Sequence, residues 1–241
     1  MTTRRSGPDG IAAVVTSVVE DVFATVSDVQ ADALRVHQDV TDRRGRLSGS
    51  DIDALGPSIR AHLGQRPGLI IGLGLIIAPD LLGDESLRLE WWQQETGQSE
   101  PSELEVDLNR LSPGFYDYEA AEWFAVPRRS RGRHVVGPYV DVHGTGSYVL
   151  TFTMPVTSGA DFIGVAGADV SAAALESRLL GELVDAAPAV ILNADDRVVF
   201  STSPRWLAGS RVPPPTAAQK LDLVDLPTLP WRLGTALPGN H

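Results

Sequence analysis

The strongest constraint on the fold is an apolar stripe near the start of the chain. Ile11, Val14, Val15, Val18, Val19, Val22, Phe23, Val26, Val29, Ala33 and Val36 recur at steps of three and four, which places their side chains along one side of a helix. The spacing predicts a single helix over residues 11–41. Glu20, Asp21, Asp28, Asp32 and Arg35 occupy its other side, and Arg43-Arg44-Gly45 supplies the basic, glycine-broken exit expected of a helix C-terminus. A helix of this length with one apolar stripe has to lean on another layer. With 43% hydrophobic and 21% charged residues over 241 positions, the chain can build that layer, and global disorder is excluded. Ser50 reads as an N-cap with Asp53 in the capping-box position, opening a shorter helix that buries Ile52, Leu55, Ile59 and Leu63.

From Leu69 onward the texture changes to short apolar segments separated by Gly, Pro, Asp and Ser, as in antiparallel strands joined by turns. Strands are expected near 69–77, 87–93, 134–142, 147–156 and 162–169, with His143-Gly144-Thr145-Gly146 as a hairpin loop. Residues 170–184 return to helical spacing. A second small set of strands follows at 189–193, 197–202 and 229–236, turning at Ala194-Asp195-Asp196, and Pro213-Pro214-Pro215 must be loop or extended.

Lys and Arg number 20 against 31 Asp and Glu, giving a net charge of −11. That charge repels phosphate backbones and anionic headgroups, so neither a nucleic-acid nor a membrane-surface role is expected, and cationic or neutral partners are favoured. The absence of cysteine removes disulfides, thiolate metal sites and a cysteine nucleophile. Arg4-Arg5 before the apolar run 11–19 has the outline of a secretory signal, but the run flows into Glu20-Asp21 with no small-residue cleavage site. The run 69–79 is too short and glycine-rich for a membrane span. A cytoplasmic protein is the expectation.

Motifs for catalysis or metal binding are weak. Gly72-Leu73-Gly74 lacks the third glycine and the following helix of a dinucleotide loop, which leaves a structural role. Asp141-Val142-His143 has no neighbouring cluster to complete a metal site, and Asn193-Ala194-Asp195-Asp196 lacks the glycine and distal glutamate of a calcium loop. No G-x-S-x-G elbow, P-loop or H-E-x-x-H occurs, so no enzyme, cofactor or metal is expected. Residues 115–141 stand apart. Six of the 15 aromatic residues fall here (Phe115, Tyr116, Tyr118, Trp123, Phe124 and Tyr139), interleaved with Asp117, Glu119, Glu122 and Asp141. Carboxylates beside ring faces are the chemistry that holds an ammonium ion, by charge-assisted hydrogen bonds and cation–π attraction of about 0.5–2 kcal/mol. The same composition also fits core aromatics beside solvated carboxylates.

Taken in order, Gly72-Leu73-Gly74, Glu90-Trp91-Trp92, Glu122-Trp123-Phe124, Gly137-Pro138-Tyr139, Thr151-Phe152-Thr153-Met154-Pro155-Val156 and Gly164-Val165-Ala166-Gly167-Ala168-Asp169 resemble the Cache family of small-molecule sensor domains, in particular its double-Cache type. The resemblance implies an α+β fold with a long N-terminal helix, over 1–48, packed on PAS-like antiparallel sheets. A ligand-binding module would span 49–184 and an abbreviated second module 185–241. In amino-acid-binding members the ligand is faced by a Tyr, an Arg five positions later, adjacent Trp and Tyr, a second Tyr on the next strand and an Asp ending the sheet. Those places resemble Tyr116, Ala121, Trp123, Phe124, Tyr139 and Asp169. Alanine at 121 cannot fork onto a carboxylate, while Asp169 can still receive an ammonium group.

The resemblance therefore implies a non-enzymatic sensor or binding module for an organic mono- or polyamine, with Tyr116, Trp123, Phe124, Tyr139, Asp141 and Asp169 as ligand-binding residues. Its alternatives are an amino acid or other small metabolite held by Arg128, Arg129, Arg131 or Arg133, and an interaction or dimerisation scaffold with a vestigial pocket. The family's usual membrane and kinase context is not visible in the sequence. Output would then pass through a separate signalling protein or through a homodimer joined along the stripe from Ile11 to Val36.

Overall fold

The computed structural model describes residues 7–94, 97, 98, 100–142, 144, 146–212 and 221–236. The N-terminal stripe is one helix, α1 (Pro8–Arg44). Pro8 suits its first turn, and Gly45, at φ 81°, ends it in a left-handed conformation whose N–H donates to the carbonyls of Val40 and Thr41. The next helix is broken in two, α2 (Gly49–Asp53) and α3 (Gly56–Leu63). The cap is Ser48, not Ser50. The sequence holds two overlapping S-x-x-D boxes, and the first prevails because Asp51 accepts from both the N–H (3.0 Å) and the Oγ (2.7 Å) of Ser48 and is also held by Arg44 at 2.6 Å. Pro57 opens α3, where its missing N–H costs nothing.

A six-stranded antiparallel sheet follows, formed by β1 (Ile70–Ile77), β2 (Leu89–Gln93), β3 (Ser102–Glu103), β4 (His134–Val140), β5 (Tyr148–Ser158) and β6 (Asp161–Ser171), in the order β3-β2-β1-β6-β5-β4. Between β3 and β4 the chain forms a 3-10 turn (Tyr118–Ala120) and α4 (Glu122–Ser130). After β6, α5 (Ala172–Glu182) leads to a four-stranded sheet of β7 (Ala189–Leu192), β8 (Val198–Ser201), β9 (Leu221–Asp225) and β10 (Arg232–Ala236), ordered β8-β7-β10-β9. β3 and β9 were not expected from the sequence. The triple proline and two of the four residues of the expected 143–146 hairpin loop lie outside the described residues.

The stripe of α1 is spent inside the chain. Ile11, Val15, Val18, Val19, Val22, Phe23, Val26 and Val29 are all at most 3% exposed and share one core with Leu73, Leu150, Phe152 and Val170 of the large sheet. Burying each such side chain contributes about 1.5–3 kcal/mol, so this packing holds the helix down. The dimer expected along that stripe would have to share residues that this packing already buries. The core also runs into the second sheet: Phe23 packs edge-on against Phe152 (5.3 Å between ring centroids), and Phe152 packs against Trp231 (6.3 Å).

Candidate functional site

α1 covers one face of the large sheet, and the candidate site lies on the other. Strand register places Thr151 (β5), Asp169 (β6), Gly72 (β1) and Gln93 (β2) side by side in one row, with Thr153, Gly167, Gly74 and Trp91 in the next. Three of those eight positions are glycine, and the indole of Trp91 lies across them. A Cβ at Gly74 would stand 2.9 Å from indole Cε3 and 2.7 Å from Trp91 Cα, and one at Gly72 would stand 2.9 Å from indole Nε1. The Gly-Leu-Gly motif is therefore a seat for an aromatic ring, consistent with its structural reading, while Leu73 between the glycines points into the α1 core.

Above this floor, the segment between β3 and β4 folds back as a cover, with Leu104, Tyr116 and Trp123 facing inward. Tyr116 and Trp123 stack at 6.5 Å between centroids, with planes 28° apart. On β4, Gly137 at φ 113° lies in a register shift between Val136 and Tyr139, and the extra residue brings Tyr139 opposite Val149, on the Thr151 face of β5. The partly open cleft between floor and cover spans about 350 Å³ of space, solvent at its mouth included. Ile76, Leu89, Trp91, Leu104, Tyr116, Trp123, Tyr139, Asp141, Thr151 and Asp169 line it.

Asp169 is the polar centre. It is 6% exposed, and its Oδ1 accepts a 2.6 Å bond from Thr151 Oγ1. Since the Thr151 proton is used there, the Tyr139 hydroxyl, 2.6 Å from the same Oγ1, donates to it. Asp169 Oδ2 sits over Gly72, 2.9 Å from where a Cβ would be. Burial raises the Asp169 pKa to about 7; the Thr151 bond opposes that rise and the Asp141 charge adds to it. Burial likewise pushes the phenols of Tyr116 and Tyr139 up, with the charges of Asp141 and Asp169 contributing, so both stay neutral.

Of the six residues singled out in the sequence, Tyr116, Trp123, Tyr139, Asp141 and Asp169 meet at this cavity and Phe124 does not. Phe124 is 0% exposed and packs edge-on against Tyr118 (5.2 Å) and Phe162 (5.7 Å), behind the cover. Adjacent residues on α4 face different ways, so Trp123 and Phe124 cannot both look inward. Glu119 pairs with Arg110 at 2.6 Å and Glu122 with His134 at 2.8 Å, both away from the cavity. The candidate carboxylate-binding arginines are also elsewhere. Arg133 grips Glu20 with two bonds of 2.8 and 2.5 Å, Arg131 donates to the Ala160 carbonyl, and Arg128, Arg129 and Arg131 line a separate surface cleft with Phe162. Ile76, Leu89, Trp91, Leu104 and Thr151 complete the wall and were not expected from the sequence, Trp91 and Thr151 being the two that bring polar atoms.

No family model and no curated protein matches the chain. Solved structures do. A structure of methyl-accepting chemotaxis protein X is 17% identical, with 96% of this chain and 97% of that chain covered and a TM-score of 0.59. The ligand-binding domain of the Pseudomonas fluorescens chemoreceptor CtaA, in complex with L-valine, is 13% identical, with 96% and 95% covered and a TM-score of 0.58. The fold is shared with these chemoreceptor structures, as the Cache resemblance in the sequence implied. The extracellular domain of soHK1S-Z6, named as a histidine kinase, matches at 16% identity over 94% of this chain and 96% of its own, with a TM-score of 0.54. That similar structure is an extracellular domain, whereas a cytoplasmic location was expected for this chain. In addition, α1 holds an 18-residue window of mean hydropathy 1.5, long and apolar enough to cross a membrane by length and composition, with 44% of that window buried in this structure.

Proposed function

We propose that this chain is a non-enzymatic ligand-binding sensor module, working outside the cytoplasm, that captures a small organic amine in the cavity between the large sheet and its aromatic cover. The observation that carries this reading is the character of the lining: two carboxylates, Asp141 and Asp169, four aromatic rings around them and, among the described residues, no cationic side chain. A buried carboxylate without a counter-ion is costly, and an ammonium ion bonded to Asp169 and lying against Trp123 and Tyr139 removes that cost. Ala121, at the start of α4, brings no charge to meet a ligand carboxylate. Tyr116, Trp123, Tyr139, Asp141 and Asp169 are the proposed contacts, and a separate signalling protein is the proposed recipient of the signal.

The experiment is a thermal-shift screen of amines, amino acids and carboxylates at pH 7.5. Amines should raise the melting temperature by mass action, and a response confined to amino acids or carboxylates would overturn the reading. Amino-acid binding is the second reading, favoured by the L-valine complex of the similar Pseudomonas fluorescens domain.

A further inference from the structure

The amine reading uses the β6 side of the cavity and leaves the β2 side unexplained. Trp91 is 5% exposed, lines the cavity, and its indole Nε1–H has no hydrogen-bond partner among the described residues. A buried donor without a partner costs as much as a lost hydrogen bond, and buried polar groups are nearly always satisfied by protein, water or ligand. This donor faces the same gap as the anchor: indole Nε1 and Asp169 Oδ2 are each 2.9 Å from the point where a Cβ on Gly72 would stand, so they are no more than twice that distance apart. Gln93, the row neighbour of Gly72 on β2, also has a buried amide nitrogen without a partner among the described residues.

Resting on the amine reading above, we infer that the ligand carries a neutral hydrogen-bond acceptor close to its ammonium group, and that Trp91 Nε1 donates to that acceptor while Asp169 holds the ammonium. The acceptor is neutral because the lining has two carboxylates and, among the described residues, no cation, so an anionic acceptor would be buried against like charge. The short gap over Gly72 fits a nitrogen and an oxygen on adjacent carbons. The class is thus an amine oxygenated at the neighbouring carbon, as an alcohol, ether or amide.

The test is calorimetric titration at pH 7.5 with 2-methoxyethylamine and n-butylamine, which have the same number of heavy atoms and the same charge and differ by an ether oxygen in place of a methylene. The wild-type protein should prefer the ether amine by about tenfold, or about 1.4 kcal/mol. Trp91→Phe, which keeps a ring on the glycine floor, should bring the ratio to near one. Independently of whether that variant folds, the assigned Trp91 indole proton of the wild-type protein should move downfield with 2-methoxyethylamine and not with n-butylamine. If the two amines bind equally well, or the preference survives in Trp91→Phe, the inference is overturned and the amine reading stands. If neither binds, both fail.

Discussion

Replacing Asp169 by asparagine should stabilise the unliganded protein at neutral pH while abolishing amine capture. The substitution preserves shape: the new amide oxygen can still accept from Thr151 Oγ1, and the amide nitrogen takes the place of Oδ2 over Gly72. What it removes is a carboxylate whose folded-state pKa is raised from 3.8 to about 7, chiefly by burial. Because the folded value lies above the unfolded one, the group contributes its full stability below pH 3.8, loses it progressively as pH rises, and has none left above about 7. The interval spans about three decades of proton activity at about 1.36 kcal/mol each, so the wild-type protein carries a penalty of about 4 kcal/mol at pH 8 that asparagine lacks. For a chain of this size that corresponds to a melting temperature higher by about 10 °C in Asp169→Asn. Urea denaturation of both proteins followed by circular dichroism from pH 4 to 8 measures the gap, which should open with rising pH. A variant less stable than wild type at pH 8, or a gap that does not change with pH, would refute the assignment of Asp169 as a buried carboxylate without a counter-ion.

Three further outcomes follow from the same geometry. Protons compete with the ligand for Asp169, so n-butylamine affinity measured by calorimetry should be level above about pH 7 and fall up to about tenfold per pH unit below it; affinity unchanged at pH 5.5 would place the ammonium elsewhere. Gly74→Ala would press a methyl group into the Glu90 carbonyl and the Trp91 backbone, prying β2 from β1 at a cost of about 1–3 kcal/mol in chemical denaturation, with loss of binding; near-wild-type stability would show that β2 can shift freely. Trp231→Ala removes a 2% exposed ring from the junction of the two sheets and should cost about 3–5 kcal/mol, whereas Trp231→Phe should cost much less, because the Trp231 indole N–H has no partner among the described residues to lose.

Local chemistry explains which parts of this fold could be read from the sequence. α1 announces itself because its apolar residues keep one period over many positions, with its exit marked by Gly45, and β5 and β6 because they are apolar segments bounded by turn residues. Between Ser48 and Asp53 two capping boxes overlap, and only the tertiary contact from Arg44 to Asp51 decides between them. β3 is two residues long and exists only through its pairing with β2, so no periodicity could reveal it. In the site, the aromatic and acidic segment was visible as composition, but composition does not say which way a ring points: Phe124 is core, and Glu119 and Glu122 pair on the surface. Trp91 was hidden in Trp91-Trp92, where neighbouring rings point to opposite faces. Trp92 donates to Glu90 at 2.8 Å on the α1 side, and the choice of Trp91 for the cavity depends on its register against Gly72 and Gly74. Glycines two apart on the adjacent strand were the available signal, and they gain meaning only once the register is known.

The central claim is that the cavity holds an ammonium group and has no place for a carboxylate beside it. Calorimetric titration with n-butylamine and L-norvaline at pH 7.5 tests it most directly, because norvaline is the same four-carbon amine bearing an α-carboxylate. Binding of n-butylamine with no detectable heat from L-norvaline is the predicted result; L-norvaline binding as tightly as n-butylamine, or more tightly, would contradict it.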